Sequence, residues 1–377
     1  MAHYTFFATT SKGLEPVLAE EIAALGGKGI AVGTGGVAFS GDHALGYRAN
    51  LWLRTANRVL LHLSEFLAPA PEALYEGVRA VPWPDLFPVR RTIAVEATVR
   101  NSGIAHSHFA ALKAKDAVVD AFREAAGSRP DVDPLAPDVR IHLRILRDVC
   151  TLSLDTSGES LNRRGYRAEP TEASLRETVA AGIVLLSGWD GRAPLADPAC
   201  GAGTIPIEAA LITTRTAPGL LRQTFGFQKL SGYEPKRWAA HLAEAKEAVR
   251  RTGVGRITGG DISVPAIRSA QRNAQRAGVS GLVSFRVADI RDFSPGGSPG
   301  ILLCNPPYGV RLAGGEEDVA AFYKAMGEAF KKRCRGWTAY VLSGNPALTR
   351  HIGLKASRRI PLMNGPIDCR LLKYELY

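Results

Sequence analysis

The chain has no apolar stretch long enough to cross a membrane. The longest candidate, residues 179–189, is interrupted by glycine and serine and falls short of the roughly eighteen residues that a membrane helix requires. The amino terminus lacks the basic start and the long apolar segment of a secretion signal. We therefore expect a protein of the cytoplasm without membrane contact.

Cysteine is scarce and scattered. The five cysteines are Cys150, Cys200, Cys304, Cys334 and Cys369, and no two form a Cys-x-x-Cys pair. Structural zinc and a disulfide framework are disfavoured for that reason. His106 and His108, two residues apart, would not share a helix face, so no metal site is expected. A thiolate nucleophile at Cys304 is also disfavoured, because this cysteine follows apolar residues without an evident activating base.

Acidic residues are outnumbered by basic ones. The sequence has 47 Lys and Arg against 36 Asp and Glu, a net charge of +11 and a pI of about 9.6. This balance suits a polyanionic partner, although a basic protein that binds nothing has the same composition. The 377 residues, 46% of them hydrophobic, suffice for two or three domains with buried cores.

The tetrapeptide Asn305-Pro306-Pro307-Tyr308 follows the apolar run 300–304, which predicts a loop at the end of a buried strand. The Asn305 side chain and the Pro306 carbonyl would accept the two hydrogens of a planar exocyclic amine, while the Tyr308 ring stacks on the base. Consecutive prolines restrict φ and supply no backbone donors, so the acceptors stay aimed. The pattern suits methylation of a base amine; for the tetrapeptide alone, a plain Pro-Pro loop is the alternative.

The segment Asp197-Pro198-Ala199-Cys200-Gly201-Ala202-Gly203-Thr204 indicates a strand end, a glycine turn and a helix start. Its two glycines let the backbone approach a ligand, and a helix that starts near Thr204 presents free N–H groups to it. The third glycine of the dinucleotide fingerprint is missing, and the Asp197 carboxylate would repel a pyrophosphate. A nucleotide-like cofactor with an amino group and a sulfonium fits better.

Two further predicted strands end in acidic residues. Asp261 would accept from the ribose hydroxyls of such a cofactor, and Asp289 from its adenine amino group. Ile262 and Ile290 would enclose the adenine ring. Singly, each aspartate also suits a helix cap or a turn. As an ordered set that ends with Asn305, these residues indicate the carboxyl edge of a parallel sheet.

The first 160 residues follow a different pattern. Strands are predicted at 4–9, 36–40, 58–66, 93–99, 139–145 and 149–154, and helices at 14–25, 45–56, within 69–88 and at 108–126. Arg147-Asp148 predicts a hairpin turn. The apolar side of the last of these helices is predicted to carry Phe109, Leu112, Val119 and Phe122. Short alternating elements of this kind imply small α+β modules.

Together these motifs resemble class I S-adenosylmethionine-dependent methyltransferases of the Asn-Pro-Pro-Tyr type. Over nearly its whole length the chain is similar to THUMP-domain RNA methyltransferases, in particular the large-subunit (23S) rRNA guanine-N2 enzymes. The likeness is carried by residues 114–120, 155–167, 175–181, 197–201, 305–309 and 364–371. It implies an α/β fold in which a Rossmann-like methyltransferase domain follows α+β ferredoxin-like and THUMP modules.

The resemblance also divides the chain. The expected parts are 1–44, the start of the ferredoxin-like module; 45–156, the THUMP RNA-docking domain with the rest of that module; 157–170, a linker; and 171–377, the methyltransferase domain. About sixty residues separate the glycine turn from Asp261, against roughly twenty in a plain dinucleotide unit. We interpret residues 211–253 as an insertion beside the active site that holds more than one helix. Some relatives carry a second catalytic domain, before which this chain is expected to end.

Roles for single residues follow from the same resemblance. The catalytic residues would be Asn305, Pro306 and Tyr308. The binding site for S-adenosyl-L-methionine (SAM) would comprise Thr178, Asp197, Cys200, Gly201, Gly203, Thr204, Asp261, Ile262, Asp289, Ile290 and Asn305. The phosphate contacts to RNA would be Arg100, Lys113, Lys115, Arg163, Arg164 and Arg167. Each of these cations also suits a solvated surface, and Tyr166 would either stack on a base or be buried at the junction of modules.

Three functions are compatible with the sequence. The leading prediction is methylation of guanine N2 in 23S rRNA, in preference to tRNA. Adenine-N6 methylation is the second, because Asn-Pro-Pro-Tyr also serves that amine. The third is a non-catalytic RNA-binding or ribosome-assembly protein that has kept the fold; the intact cofactor and catalytic positions argue against it.

Overall fold

The computed structural model describes residues 3–167, 175–250, 253–308 and 315–377, with the backbone alone at 315 and 316. Within these ranges the strands form two seven-stranded sheets. Gly309 of the predicted active-site loop and residues 168–170 of the predicted linker lie outside the described residues.

The first sheet is mixed and lies in the amino-terminal half. Its strands are β1 (Tyr4–Thr10), β2 (Lys28–Gly33), β3 (Gly36–Gly41), β4 (Ala56–Leu67), β5 (Ile93–Arg100), β6 (Val139–Leu146) and β7 (Val149–Asp155). The helices between them are α1 (Glu15–Ala24), α2 (His43–Trp52), α3 (Pro71–Arg79), α4 (Trp83–Leu86) and α5 (Ser107–Ala126). The strand order is β2-β3-β1-β4-β7-β6-β5, and only β5 and β6 pair in parallel.

The two predicted amino-terminal modules share this one sheet. β4 pairs with β1 through Leu61 and Phe6, and with β7 through Leu61 and Leu154. The two modules are therefore joined by backbone hydrogen bonds into one continuous sheet. The sequence did not predict β2. This strand contains glycine and is largely exposed, so it lacks the alternation of apolar and polar residues that marks a half-buried strand.

Local sequence signals account for several boundaries. α1 ends before Gly26, which adopts φ of +85°, and α5 ends at Gly127 with φ of +65°. Arg147 and Asp148, with φ of 51° and 64°, form the predicted two-residue hairpin turn.

The predicted apolar side of α5 is wrong in part. Phe109 and Leu112 are 46% and 45% exposed. The helix instead buries a stripe of small residues and three larger ones: Ala110, Ala114, Ala117, Val118, Val119 and Phe122. Alanine at helical spacing lets α5 lie close to its neighbours, whereas sequence hydrophobicity favours larger residues.

The second sheet lies in the carboxyl-terminal half. Its strands are β8 (Leu195–Asp197), β9 (Ile257–Asp261), β10 (Val283–Val287), β11 (Ile301–Cys304), β12 (Thr338–Ser343), β13 (Arg358–Asn364) and β14 (Ile367–Glu375). Its helices are α6 (Glu177–Leu186), α7 (Thr204–Thr213), α8 (Pro235–Glu247), α9 (Val264–Arg276), α10 (Gly315–Arg333) and α11 (Pro346–Thr349). The order is β10-β9-β8-β11-β12-β14-β13, parallel from β10 to β12, with antiparallel β14 and β13 at the other edge.

The middle of the segment 211–253 packs against the first sheet, whereas its first residues, such as Leu211, belong to the core of the second. Phe225, Phe227 and Trp238 belong to the same buried cluster as the core of the first sheet. The Tyr47 and Phe227 rings lie 4.6 Å apart, and the Glu234 N–H donates to the Tyr47 hydroxyl at 2.9 Å. The described part of the insertion holds the end of α7, one complete α-helix, α8, and two short 3-10 turns. The length of the segment had predicted more than one helix.

The insertion also contacts residues 157–163, the first part of the segment that was predicted to be a linker. The Arg222 guanidinium donates to the carbonyls of Ser157, Glu159, Ser160 and Arg163 at 2.8 to 3.3 Å. Four backbone acceptors on one guanidinium fix this stretch firmly.

No helix among the described residues is long and apolar enough to span a membrane.

Candidate active site

The carboxyl ends of β10, β9, β8 and β11 lie side by side at one edge of the second sheet. β9 pairs in parallel with both β10 and β8, and β8 pairs in parallel with β11. The direction of chain progression reverses between β8 and β11, which is the switch point where open α/β sheets bind ligands. The side chains at this edge follow in the order Asp289, Asp261, Asp197, Asn305.

The glycine turn between β8 and α7 has the predicted form. Gly201 and Gly203 adopt φ of +53° and +79°, which L-residues with a side chain rarely take. A Cβ at Gly203 would come within 2.9 Å of Ala270 and Phe285, whereas a Cβ at Gly201 would meet nothing within 4 Å. Gly203 is therefore required for packing, and the backbone at Gly201 is open to a ligand.

Asp261 ties the end of β9 to the glycine turn. One carboxylate oxygen accepts from the Gly201 N–H and the other from the Ser263 N–H, both at 2.9 Å. Ser263 in turn caps α9 by accepting from the Ala266 N–H. The carboxylate thus stands at the edge of the sheet with its orientation set by two backbone donors.

Asp197 is buried without a cationic partner among the described residues. Its side chain accepts from the Ala199 N–H at 3.2 Å. Burial raises the pKa of Asp197 well above its usual value, and the neighbouring Asp261 raises this pKa further. A buried carboxylate in such surroundings favours a positively charged ligand, since a cation would compensate its charge.

Asn305 is half-buried at the end of β11, next to the buried Pro306. The Tyr308 hydroxyl donates to the Asn305 side-chain oxygen, and Asn364 donates weakly to the Tyr308 hydroxyl at 3.5 Å. An amide oxygen has two lone pairs, so the Tyr308 contact leaves one for a substrate amine. The tetrapeptide accordingly lies at the same edge of the sheet as the glycine turn and is not fully buried.

Three sequence-family models match the chain. The RMKL-like methyltransferase domain matches residues 164–373, which is more than half of the chain. The RlmL ferredoxin-like domain matches residues 5–60 and the THUMP domain residues 70–155. The chain belongs to the RMKL-like methyltransferase family. The predicted family and the predicted fold class are thereby confirmed.

Relatives extend over the whole chain. The ribosomal RNA large subunit methyltransferase K/L of Syntrophotalea carbinolica is 44% identical over 98% of this chain and 53% of its own length. A candidate RNA methyltransferase of Synechocystis sp. is 41% identical over 99% of this chain and 97% of that protein. The crystal structure of SMU.472, a candidate methyltransferase complexed with SAH, is 31% identical with a TM-score of 0.89, over 100% of this chain and 99% of that one. This chain thus spans about half the length of the K/L relative.

The adenine end of the proposed methyltransferase site is only partly as predicted. Asp289 accepts from the Arg291 backbone and side chain, and these hydrogen bonds lower the pKa of Asp289. Ile262 is 66% exposed and open to a ring, whereas Ile290 is buried in the cluster behind β11. Of the two predicted isoleucine faces, the structure leaves one open.

The two cysteines of the methyltransferase edge are poor nucleophiles. Cys200 and Cys304 are buried, and burial raises the pKa of each thiol well above its usual value. Asp197 and Asp261 raise both pKa values further. A thiolate would be costly at either position, which agrees with the expectation that no covalent step passes through Cys304.

Thr178 and Thr204 lie at the amino-terminal ends of α6 and α7. The Thr178 hydroxyl is fully buried and donates to the Asn57 side chain of β4 at 2.9 Å. The hydroxyl is thus engaged with Asn57, and the approach of Thr178 to the cofactor carboxylate stays a prediction. The Thr204 hydroxyl accepts from Arg167 at 3.3 Å, directly after the glycine turn.

The predicted phosphate contact of Arg164 is wrong because this residue is buried, and that of Arg167 stays a prediction although its guanidinium is engaged within the protein. Arg164 is 1% exposed and donates to the carbonyls of Arg54 and Leu161. Arg167 is largely buried, and its guanidinium pairs with Glu177 at 3.0 Å. Tyr166 is buried as well, which excludes base stacking in this conformation. Arginine in a sequence carries no sign of burial when its partners lie far along the chain.

The other predicted RNA contacts lie nearer the surface. Arg163 has 71% of its side chain exposed and pairs with Glu159, and Arg100 is exposed at the end of β5. Lys113 lies 5.0 Å from the Tyr75 ring, and Lys115 pairs with Asp116. These four positions remain a predicted phosphate-contact surface.

Sequence reasoning assigned no role to several residues at this site. Asn364 and Cys369, from the β13–β14 hairpin, lie against Tyr308. Glu177 and Glu208 pair with the buried arginines. The signals for Asn364 and Glu177 were present in the motifs at 364–371 and 175–181, whereas Glu208 follows no pattern that separates it from surface acids.

Proposed function

We propose that this protein transfers a methyl group from SAM to the exocyclic N2 amine of a guanosine in 23S rRNA. The observation that carries the proposal is the position of Asn305 and Pro306, one strand away from Asp197 on the carboxyl edge of the sheet. The Asn305 amide oxygen is suited to accept from an amine substrate, and the nearby Asp197 carboxylate is suited to a positively charged sulfonium cofactor. The K/L and Synechocystis relatives support an RNA substrate.

The residues of the edge fit SAM. Asp197 would accept from the amino group of its methionine part, because burial leaves this carboxylate in need of a positive charge. The open backbone at Gly201 would lie against the same part, and Asp261 would accept from the ribose hydroxyls. When bound, SAM supplies a methyl group already activated by the sulfonium, and SMU.472, which holds the related product SAH, supports this assignment.

The protein's task is then to orient a weakly nucleophilic amine. The Asn305 oxygen and the Pro306 carbonyl would accept the two N2 hydrogens and hold the nitrogen lone pair toward the methyl group. The Tyr308 ring would stack on the base, and its hydroxyl keeps Asn305 in place. Positioning and exclusion of water account for the chemistry without a strong general base.

RNA docking is assigned to the amino-terminal half. Arg163, Arg100 and the lysines of α5 would contact phosphates, and the THUMP module would read the shape of the RNA. The substrate also implies a cytoplasmic location.

The decisive experiment identifies the modified nucleoside. The protein is incubated with labelled SAM and either rRNA or tRNA, and the RNA is digested to nucleosides. We expect labelled N2-methylguanosine from rRNA. Labelled N6-methyladenosine would replace the proposal with adenine methylation, and absence of label on every RNA, including protein-free rRNA, would favour the non-catalytic assembly role.

A further inference from the structure

We call the part that contains the first sheet, residues 3–155, the docking half, and the part that contains the second sheet, residues 175–377, the catalytic half. Residues 54–57, at the start of β4 in the docking half, contact the catalytic half in several places. The Thr178 hydroxyl of α6 donates to the Asn57 side-chain oxygen at 2.9 Å. The Leu161 N–H donates to the Asn57 carbonyl at 2.8 Å. One asparagine therefore binds both the segment between the sheets and the helix that begins at the cofactor edge.

A second connection leads from the same segment to α7. Arg164 donates to the Arg54 carbonyl, and its Nε lies 3.6 Å from Oε1 of Glu208, a fully buried residue of α7. The Tyr166 hydroxyl donates to the same glutamate oxygen at 3.1 Å. The Arg54 backbone N–H is itself held by Glu21 of α1 at 2.7 Å. Glu208 thus joins the helix after the glycine turn to the docking half.

Arg167 makes the third connection, at the glycine turn itself. Its Nε donates to Glu177 of α6 at 3.0 Å. Its Nη2 donates to the Leu175 carbonyl at 3.0 Å and to the Thr204 hydroxyl at 3.3 Å. Thr204 directly follows Gly203, so the guanidinium ties the start of α6 to the start of α7.

This network is not built for maximal stability. Buried atoms without a hydrogen-bond partner among the described residues include Arg54 Nη1, Arg164 Nε, Arg167 Nη1 and Glu208 Oε2. Buried ion pairs contribute little net stability, and well-packed apolar residues often do better. Directional contacts that cost stability are well suited to setting geometry.

We propose that Asn57, Arg164, Tyr166 and Arg167 are positioning residues that hold the glycine turn and the start of α6 in the geometry that binds SAM. This inference rests on the proposed function, since it concerns the same cofactor site. The docking half is then a part of the cofactor site through its residues 54–57. Because coupling is reciprocal, occupancy of the cofactor site also affects the RNA-docking half.

The test measures SAH binding to the full chain by titration calorimetry without RNA. Arg167→Met should weaken SAH binding about tenfold or more, the factor for one lost charge-assisted hydrogen bond. Arg167→Lys, which keeps the charge, should recover part of the loss. The control is Arg237→Met, which removes an Arg–Glu pair of the same 3.0 Å length from the exposed face of α8; its SAH affinity should equal that of the wild type.

A milder variant guards against misfolding. Tyr166→Phe removes one donor to Glu208, and we expect KM for SAM to rise several-fold with little change in kcat. A lowered melting temperature in Arg167→Met and Tyr166→Phe with unchanged SAH affinity would reduce the network to a structural role and overturn the inference. Failure of the wild type to bind SAH would count against the proposed function instead.

Discussion

Asp155 and Asp197 each end a strand, one in each sheet, but have opposite electrostatic surroundings. Asp155 ends β7 in the docking half, Asp197 ends β8 in the catalytic half, and each is 2% exposed. Burial raises the pKa of both, but at Asp155 the neighbouring His142 imidazole and the charge of Arg58 outweigh it, so that pKa lies below its usual value. The pKa of Asp197 stays well above it.

The difference lies in the partners of the two carboxylates: Asp155 has a cation and several hydrogen-bond donors within the fold, whereas Asp197 has few and is available to a ligand. Asp155 also accepts from the N–H groups of Ser157 and Gly158, at 2.8 and 3.2 Å. Asp197 has the Ala199 N–H alone among the described donors. Perturbed carboxylates of the second kind are typical of functional sites.

The largest expected effect concerns the acceptor at the catalytic edge. Asn305→Ala should lower the rate of methyl transfer by about a hundredfold or more, because the substrate amine loses an oriented acceptor. SAH affinity, measured by calorimetry, should change little. Equal losses of rate and of SAH affinity would assign Asn305 to cofactor binding.

Removing the charge of Asp155, the carboxylate that is paired within the fold, should lower the stability of the protein. Asp155→Asn is expected to lower the free energy of unfolding by about 3 kcal/mol at neutral pH, since Arg58 then loses its partner. Chemical unfolding followed by circular dichroism measures this, and SAH affinity of the folded protein should be retained. A stability equal to that of the wild type would show that the two acids do not differ in this way.

Substitution of Asp197, the carboxylate without a cationic partner among the described residues, should have the opposite effect on stability. Asp197→Asn is expected to weaken SAH binding about tenfold or more, because the cofactor amino group loses its carboxylate. The same change should leave stability unchanged or raise it, since an unpaired buried charge is removed. Strong destabilisation of this variant would break the comparison.

The pH dependence sharpens the same contrast. The folded pKa of Asp155 is depressed, so its stabilising contribution is present above its unfolded pKa and is lost as pH falls through the folded pKa. The folded pKa of Asp197 is raised, so its contribution is full at low pH and is lost as pH rises through the folded pKa. Unfolding series should show Asp155→Asn approaching the wild type in acid, and Asp197→Asn gaining on it with rising pH. Parallel curves would contradict both assignments.

The smallest expected effect concerns the docking surface. Arg163→Met should weaken RNA binding a few-fold and reduce the slope of log affinity against log salt by about one, as for a lost phosphate contact. SAH affinity should be unaffected. An unchanged salt slope, measured by filter binding, would remove Arg163 from the predicted phosphate-contact surface.

The sequence correctly predicted structural features that depend on a few neighbouring residues. The glycine turn, the helix ends at Gly26 and Gly127, and the hairpin turn at Arg147 depend on backbone conformations that few residue types adopt. Asp261 and Asn305 follow apolar strands, and their shared edge follows from the rules of parallel sheets.

Contacts between distant segments could not be read in the same way. Arg163 and Arg164 are adjacent and chemically identical, yet one is exposed and the other is buried against Arg54 and Glu208. The same holds for Thr178, whose partner Asn57 lies 121 positions away. Burial of a polar side chain depends on partners that only the folded chain brings within reach.

By itself, then, the sequence indicated most of the elements, the fold class, the family and the residues proposed for the carboxyl edge, because these follow from local conformational preferences and from motifs. Only the tertiary structure decided that the two amino-terminal modules share one sheet and that the insertion packs onto it. It also decided which arginines face solvent. Those outcomes depend on the burial of apolar surface and on the pairing of charges across more than a hundred residues, for which no short segment carries the information.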